Sequence, residues 1–322
     1  MLILACALWG LSFPTMKVLG LTQEGLLPGR SSWFFSALCV SYRFGAAGAI
    51  MLLVSLPTIR QMTRSELAQG IGLGIFGGLG LLLQMDGLAH TSASTSAFLT
   101  QCYCLILPLW AAARDRRWPA PRIFGSSALV LAGVAVLAQV DWRHFHLGRG
   151  EMETILASVI FTGQILWLER PRFAANKVTH FSLVMFVVMA LVCVPVAVGT
   201  TQEAGDWLRA YSTLPTLGFL AILVVGCTLG AYLLMNHWQR HVGATLAGLL
   251  YCIEPIFASV FALFLPAWFS AWAGVNYLNE FVTTNLLVGG GLITVANILV
   301  QLPAASPARP PESRRAKSTE SA

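Results

Sequence analysis

Four ionisable side chains, Lys17, Arg43, Asp86 and Glu254, stand inside long apolar runs. A charge at the centre of a membrane span costs ~2.5–3.5 kcal/mol on insertion scales, so each demands a partner or a task. Glu254 lies mid-run, directly before Pro255. A buried carboxyl there suits proton coupling or the holding of a substrate amine. The structural alternative is a Glu-Pro pair in a kinked helix, its carboxyl satisfied by freed backbone donors or a neighbouring side chain. Both readings stand at this point. Lys17, Arg43 and Asp86 map toward the outer half of their runs, where an Arg43–Asp86 or Lys17–Asp86 ion pair is expected as a latch or gate. Lys17 can also snorkel outward, and Arg43 could instead hold a substrate carboxylate. Gln101, Gln164 and Tyr251 are polar mid-run positions suited to a cavity, although interhelical hydrogen bonding alone explains each.

Other motifs carry less chemistry. Gly72-x-Gly74-x-x-Gly77 matches a dinucleotide fingerprint but lies inside an apolar run, with no preceding strand. The spacing of Gly70, Gly74 and Gly78 instead predicts a small-residue face for close helix packing, repeated at Gly226 and Gly230. His237 and His241 are four apart without a third ligand, so no metal site is expected. The phosphate-binding Gly-x4-Gly-Lys-Ser/Thr loop is missing, which argues against ATP-driven chemistry, and no cofactor is expected.

The elements that must position these groups follow from composition. Of 322 residues, 56% are hydrophobic and 11% charged, against about 25% charged in soluble domains. That balance excludes a soluble globule, a disordered chain, a disulfide scaffold and a nucleic-acid-binding domain. Apolar blocks of about 17–24 residues match a hydrocarbon core of ~30 Å. They predict an all-α polytopic membrane protein with ten transmembrane helices, near 2–19, 33–56, 67–88, 91–113, 122–140, 152–168, 180–200, 215–236, 243–266 and 284–302. The Pro/Ser-rich segment 303–322 reads as a disordered tail. The first block begins at Met1 without a basic n-region, unlike a cleaved signal peptide.

On the side holding both termini fall fourteen of the twenty bases, and four fall on the other. The Lys/Arg excess marks the cytoplasmic side, so the net charge of +6 is a topology signal. Trp33, Trp110, Trp118, Trp142, Trp167, Trp207 and Trp238 sit near span ends, where the interface favours them. Trp9 sits mid-span. All seven cysteines fall inside the blocks and read as reduced packing residues.

The two halves of the chain match each other. Gly74, Gly78 and Gln84 correspond to Gly226, Gly230 and Asn236 at an offset of 152, and Ala93, Ala97 and Tyr103 to Ala244, Gly248 and Glu254 at 151. Five spans per half is an odd number, so the second half enters the membrane inverted. Inverted repeats are characteristic of secondary transporters, whose substrate site lies near the midplane. The expected units are 1–140 and 141–302.

Several segments also resemble the EamA family of the drug/metabolite transporter superfamily. LWGLSFPTMK (Leu8–Lys17), with Trp9 and Phe13, is similar to its first-span pattern. YRFGAA (Tyr42–Ala47) resembles its second span, and GLAHTSASTSAFLTQCYCLILPL (Gly87–Leu109) its third-to-fourth-span signature. NHWQRHVGATLAGLLYCIEPIFA (Asn236–Ala258) resembles the second copy, including Glu254-Pro255. Two departures stand out: Arg114-Asp115-Arg116 replaces the family's Gly-Glu-Arg, and the aromatic Pro266–Tyr277 segment is inserted before Glu280. The insertion is expected to form a re-entrant or interfacial lip on the outer side.

The resemblance implies a secondary transporter, an exporter of small metabolites such as amino acids across a bacterial-type inner membrane, with both termini cytoplasmic. Its cavity would be lined by Trp9, Phe13, Gln101, Tyr103, Gln164, Tyr251 and Glu254. Expected partners are the lipid bilayer, a small-molecule substrate and protons as coupling ion, with a homodimer allowed and no nucleic acid. The alternatives are a sugar-phosphate or nucleotide-sugar antiporter, which would need converging bases, and a non-transporting receptor or intramembrane enzyme.

Overall fold

The computed structural model describes residues 1–114, 116, 118, 121–137, 147–242 and 250–301. Among these residues the fold is all-helical. The tail 303–322, Trp142, Ala244 and Gly248 lie outside the described residues.

The first three helices are α1 (Leu2–Leu26), α2 (Ser32–Ser55) and α3 (Arg64–Ala89). α1 runs seven residues past its expected end because nothing stops it before Pro28-Gly29. Gly29 takes a left-handed φ of 79°, which glycine adopts without strain. Inside α1, Pro14 withholds a backbone donor from Gly10. At Gly10 a side chain would meet Ala258 N at 2.8 Å, so the glycine permits the crossing with a later helix. α3 starts at a capping box: Thr63 Oγ1 accepts from Glu66 N, and Glu66 Oε2 accepts from Thr63 N.

α4 (Ala93–Thr100) is capped by Ser92, stops at Gln101-Cys102 and resumes as α5 (Tyr103–Arg114). α6 (Pro121–Leu137), α7 (Arg149–Leu168) and α8 (Val178–Thr200) follow. Next come a short α9 (Asp206–Arg209) and α10 (Leu214–Ile222), whose N-terminus is capped by Thr213. A π-helical stretch, Leu223–Gly230, joins α10 to α11 (Ala231–Trp238). After another two-residue break at Cys252-Ile253 comes α12 (Glu254–Ala262), then α13 (Leu265–Ala273) and α14 (Thr284–Gln301).

Among the described residues, seven helical stretches are long and apolar enough to cross a membrane: α1, α2, α3, Ala93–Arg114, α7, α8 and Leu214–Trp238. The pair α12–α13, bent by 54°, makes an eighth when taken as one span. Two shorter apolar helices, Ile123–Gly133 and Thr284–Leu299, lie in α6 and α14. These helices and their apolar surfaces make the chain an integral membrane protein whose partner is the lipid bilayer.

α8 is the hub of the bundle, packing along both α2 and α3, while α3 also lies against α7. Gly70 and Gly74 make the α3–α8 crossing possible. A Cβ at Gly74 would lie 2.5 Å from Val188 Cβ and 2.9 Å from the Met185 carbonyl. At Gly78 it would be 3.1 Å from Met189 Cα. The expected counterpart face differs. Gly226 and Gly230 fall in the π-helical stretch, and a Cβ at Gly226 would meet only Leu8 at 3.8 Å, an ordinary contact. Gly230 is tighter, at 3.2 Å from Leu8. The repeat in sequence therefore does not reproduce the same crossing, because α-helical periodicity is lost where these glycines sit. α1 runs against α12, and α6 against α14. All seven cysteines are buried without a disulfide.

Candidate functional site

The broken and distorted helices surround one cavity. α1 contributes Trp9, Ser12 and Phe13; α2 contributes Arg43; α3 contributes Leu81 and Gln84. Thr100 ends α4 and Tyr103 begins α5. α7 adds Phe161, Gln164 and Ile165, α11 adds Tyr232 and Met235, and Tyr251 and Glu254 complete the lining. The atom-free space, counting its open mouth, is about 610 Å³.

Six of the seven cavity residues expected from the sequence, Trp9, Phe13, Tyr103, Gln164, Tyr251 and Glu254, are brought together here. The seventh, Gln101, stands one step behind, its Nε2 3.5 Å from Glu254 Oε2. Tyr103 and Glu254 occupy matching places: each is the first residue of a helix that resumes after a two-residue break. Their side chains are 5% and 7% exposed. Trp9 anchors the aromatic wall, edge-on to Tyr232 at 5.4 Å and to Tyr251 at 5.8 Å.

The expected ion pairs are not formed. Arg43 is 1% exposed and faces the cavity lining. Its Nε donates to Thr228 Oγ1 at 2.5 Å, its Nη2 to the Cys227 carbonyl at 2.9 Å, and its Nη1 lies 3.5 Å from Met16 Sδ. Both oxygen acceptors belong to the π-helical stretch, where the widened hydrogen-bond ladder turns backbone acceptors toward a neighbour. Among the described residues no carboxylate lies within ion-pair distance of Arg43.

Asp86, fully buried, pairs instead with Arg149 at the start of α7, and His90 Nε2 lies 4.0 Å away. Arg149 also holds Glu153 at 2.8 Å. Lys17 turns to backbone oxygens, donating to Leu88 O at 3.3 Å and to Thr91 O. The physical reason is reach: Arg43 points into the bundle, whereas Asp86 meets the loop end where α7 starts. The spans expected near 122–140 and 152–168 leave Arg149 between them, whereas α7 begins at it.

Two further links join the first half of the chain to the second at the same end of the bundle. Arg30 Nε donates to the buried Asp206 Oδ2 at 2.8 Å, an interaction that raises the Arg30 pKa. Glu280 Oε1 accepts from Ala93 N at 2.8 Å and Ser94 N at 3.4 Å, placing a carboxylate at the N-terminus of α4. Close by, α13 of the Pro266–Tyr277 segment turns at Gly274, φ 68°, and sets Trp272 edge-on to Phe219 at 4.8 Å.

At the opposite end Glu66 bridges to α8, accepting from Lys177 N at 2.9 Å with His180 Nδ1 at 3.0 Å. A second pocket opens there between Gln69, Glu169, Asn236 and Gln239. Tyr251 donates to Gln239 Oε1 at 2.8 Å, and Gln239 Nε2 donates to Glu169 Oε1 at 3.1 Å. This chain of side chains runs from Tyr251 in the central cavity to Gln239 and Glu169 in the pocket. The His237 and His241 rings lie 5.6 Å apart at this end, tilted by 55° to each other. Tyr232, Thr100 and Phe161 line the cavity without having been singled out in the sequence, and Gln84, marked there only as the repeat mate of Asn236, joins them. The only available signal for them was that polar or aromatic residues interrupt apolar spans.

A membrane-embedded helical bundle enclosing a mixed polar and aromatic cavity is the architecture of a solute transporter. Residues 1–139 match the EamA-like transporter family. That match spans 139 of the 322 residues and, with the relative described next, supports a membrane transporter of the drug/metabolite transporter type. An uncharacterized transporter of Archaeoglobus fulgidus is 24% identical over 306 residues, covering 94% of this chain and 84% of the relative. A protein crystal structure, 15% identical, superposes with a TM-score of 0.51 over 91% of this chain and 95% of its own. That likeness is one of fold.

Proposed function

We propose that the chain is a secondary transporter working by alternating access, exporting small metabolites such as amino acids across a bacterial-type inner membrane. In this reading ten spans form two inverted five-helix repeats, residues 1–140 and 141–302, with both termini cytoplasmic. The observation that carries it is the pair of helix breaks at Gln101-Cys102 and Cys252-Ile253, 151 residues apart, each followed by a cavity residue. Interrupted helices at the substrate site are what transporters of this kind use to bring backbone and side-chain groups to the midplane.

Three cross-half links (Arg30–Asp206, Asp86–Arg149 and Glu280–Ala93) close the outer end in this reading, and the Glu169 pocket is the inner vestibule. Glu254, reachable from the cavity and backed by Gln101, is the proton-coupling group. The sugar-phosphate alternative is disfavoured because Arg43 is the sole cation among the described residues lining the cavity.

The test is counterflow in proteoliposomes of the purified chain, preloaded with unlabelled amino acids, with labelled amino acid outside. Accumulation that an imposed pH gradient accelerates supports the reading. Saturable binding without counterflow replaces the transporter by a receptor.

A further inference from the structure

We propose that Arg43 is the anion-binding group of the central cavity, and that the molecule the cavity takes carries a single carboxylate. The inference rests on the transport reading only for the word substrate; the binding chemistry stands on the cavity itself.

Arg43 is held by neutral acceptors: the Thr228 hydroxyl, the Cys227 carbonyl and the Met16 sulfur. These fix its position, but they do not neutralise its charge. Tying α2 to the π-helical stretch needs hydrogen-bond donors, which a neutral amide supplies at lower burial cost. A permanent cation, 1% exposed and at a cavity wall, is matched only when an anion enters. The one carboxyl among the described residues of the lining, Glu254, is engaged by Gln101 and lies beyond ion-pair distance of the guanidinium.

An independent observation points the same way. Two further buried groups of the cavity lining, Trp9 Nε1 and Gln164 Nε2, have no hydrogen-bond partner among the described residues. The indole N–H is a donor only. Together with the N–H groups that Arg43 leaves unused, these make the wall rich in donors, complementary to an acceptor-rich ligand. The charge count selects the anion. A doubly charged phosphate would call for a second cation, yet Lys17 is spent on the Leu88 and Thr91 carbonyls outside this cavity. One guanidinium suits one carboxylate, bound through its planar fork. The aromatic faces of Trp9, Tyr232 and Phe161 would cover an apolar or aromatic body.

The experiment measures binding to the full chain in nanodiscs by thermal shift. The probes are L-phenylalanine, L-leucine and phenylacetate, their carboxamides, in which a neutral group replaces the carboxylate, and phenyl phosphate. The expected result is at least about tenfold tighter binding of acids than of their amides. That preference should be lost in Arg43→Gln and weakened but retained in Arg43→Lys, which keeps the charge without the fork. Equal binding of acids and amides, no binding of any acid, or tighter binding of phenyl phosphate would overturn the proposal. The wild-type acid-to-amide ratio decides the matter even where Arg43→Gln fails to fold. Acid preference without counterflow sinks the transport reading alone, while counterflow that ignores the acid group sinks this one alone.

Discussion

Tyr103 and Glu254 each open a helix straight after a two-residue break, and both face the same cavity. The first places a phenol where the second places a carboxyl, so a near-symmetric scaffold carries an asymmetric pair of groups. The proton-coupling role and the kinked-helix role of Glu254 separate here. Glu254→Gln is expected to retain binding but flatten the pH dependence of flux in proteoliposomes, whereas Pro255→Ala should lower flux and keep that dependence. An unchanged pH profile in Glu254→Gln would remove the coupling role.

The Glu169 carboxyl is pushed above its ordinary pKa by burial, a shift that the Gln239 hydrogen bond only partly offsets. Because the folded state holds the proton more tightly, the stability this group contributes is complete below the unfolded pKa of about 4.3. It falls as pH rises through the folded value. Glu169→Gln keeps an oxygen to accept from Gln239. The variant should match the wild type near pH 4 and melt at a higher temperature at pH 7–8. A pair of melting curves at the two pH values checks this.

Packing at the α3–α8 crossing leaves no room for a methyl group. Gly74→Val would drive carbon into Val188 and the Met185 carbonyl, a cost of about 1–3 kcal/mol or more from overpacking. Gly199, also helical, has nothing within 4 Å of where its Cβ would stand. Gly199→Ala is therefore expected to stabilise by roughly 0.5–1 kcal/mol through helix propensity. Opposite signs in detergent melting temperatures are the expected readout.

If the Asp86–Arg149 link closes the outer end, covalently fixing it should stop the transport cycle. The double variant Asp86→Cys with Arg149→Cys should lose counterflow on oxidation and regain it with reductant. Transport that continues with the cross-link complete would show that these helix ends do not separate during turnover.

The cavity was legible in the sequence because buried polarity is expensive. Glu254, Gln101, Gln164 and Tyr251 stood out as polar residues in apolar spans, and Trp9 and Phe13 through the family pattern. The partner of Asp86 was not legible. Arg149 is 63 residues away in sequence, and only the packing of α3 on α7 brings the two together. Nor did any residue announce the π-helical stretch, since Leu223–Gly230 contains the same apolar and small residues as its α-helical neighbours. The break at Gln101-Cys102 carries no glycine or proline either. Pairwise contacts between distant helices set these features, and a local reading of composition does not contain them.

The π-helical stretch has one more consequence. It lies just before α11, which carries Tyr232, wedged edge-on between Trp9 and Phe44. An α-helix turns about 100° per residue, so the widened stretch acts as a register setting for everything after it. Removing one residue between 223 and 230 would let the ladder close into ordinary α-helix. Such a stretch absorbs about one extra residue without turning the helix beyond it, so Tyr232 would keep facing the cavity, while the Cys227 carbonyl withdrew from Arg43. The position of the buried cation is thus written in a single count of residues.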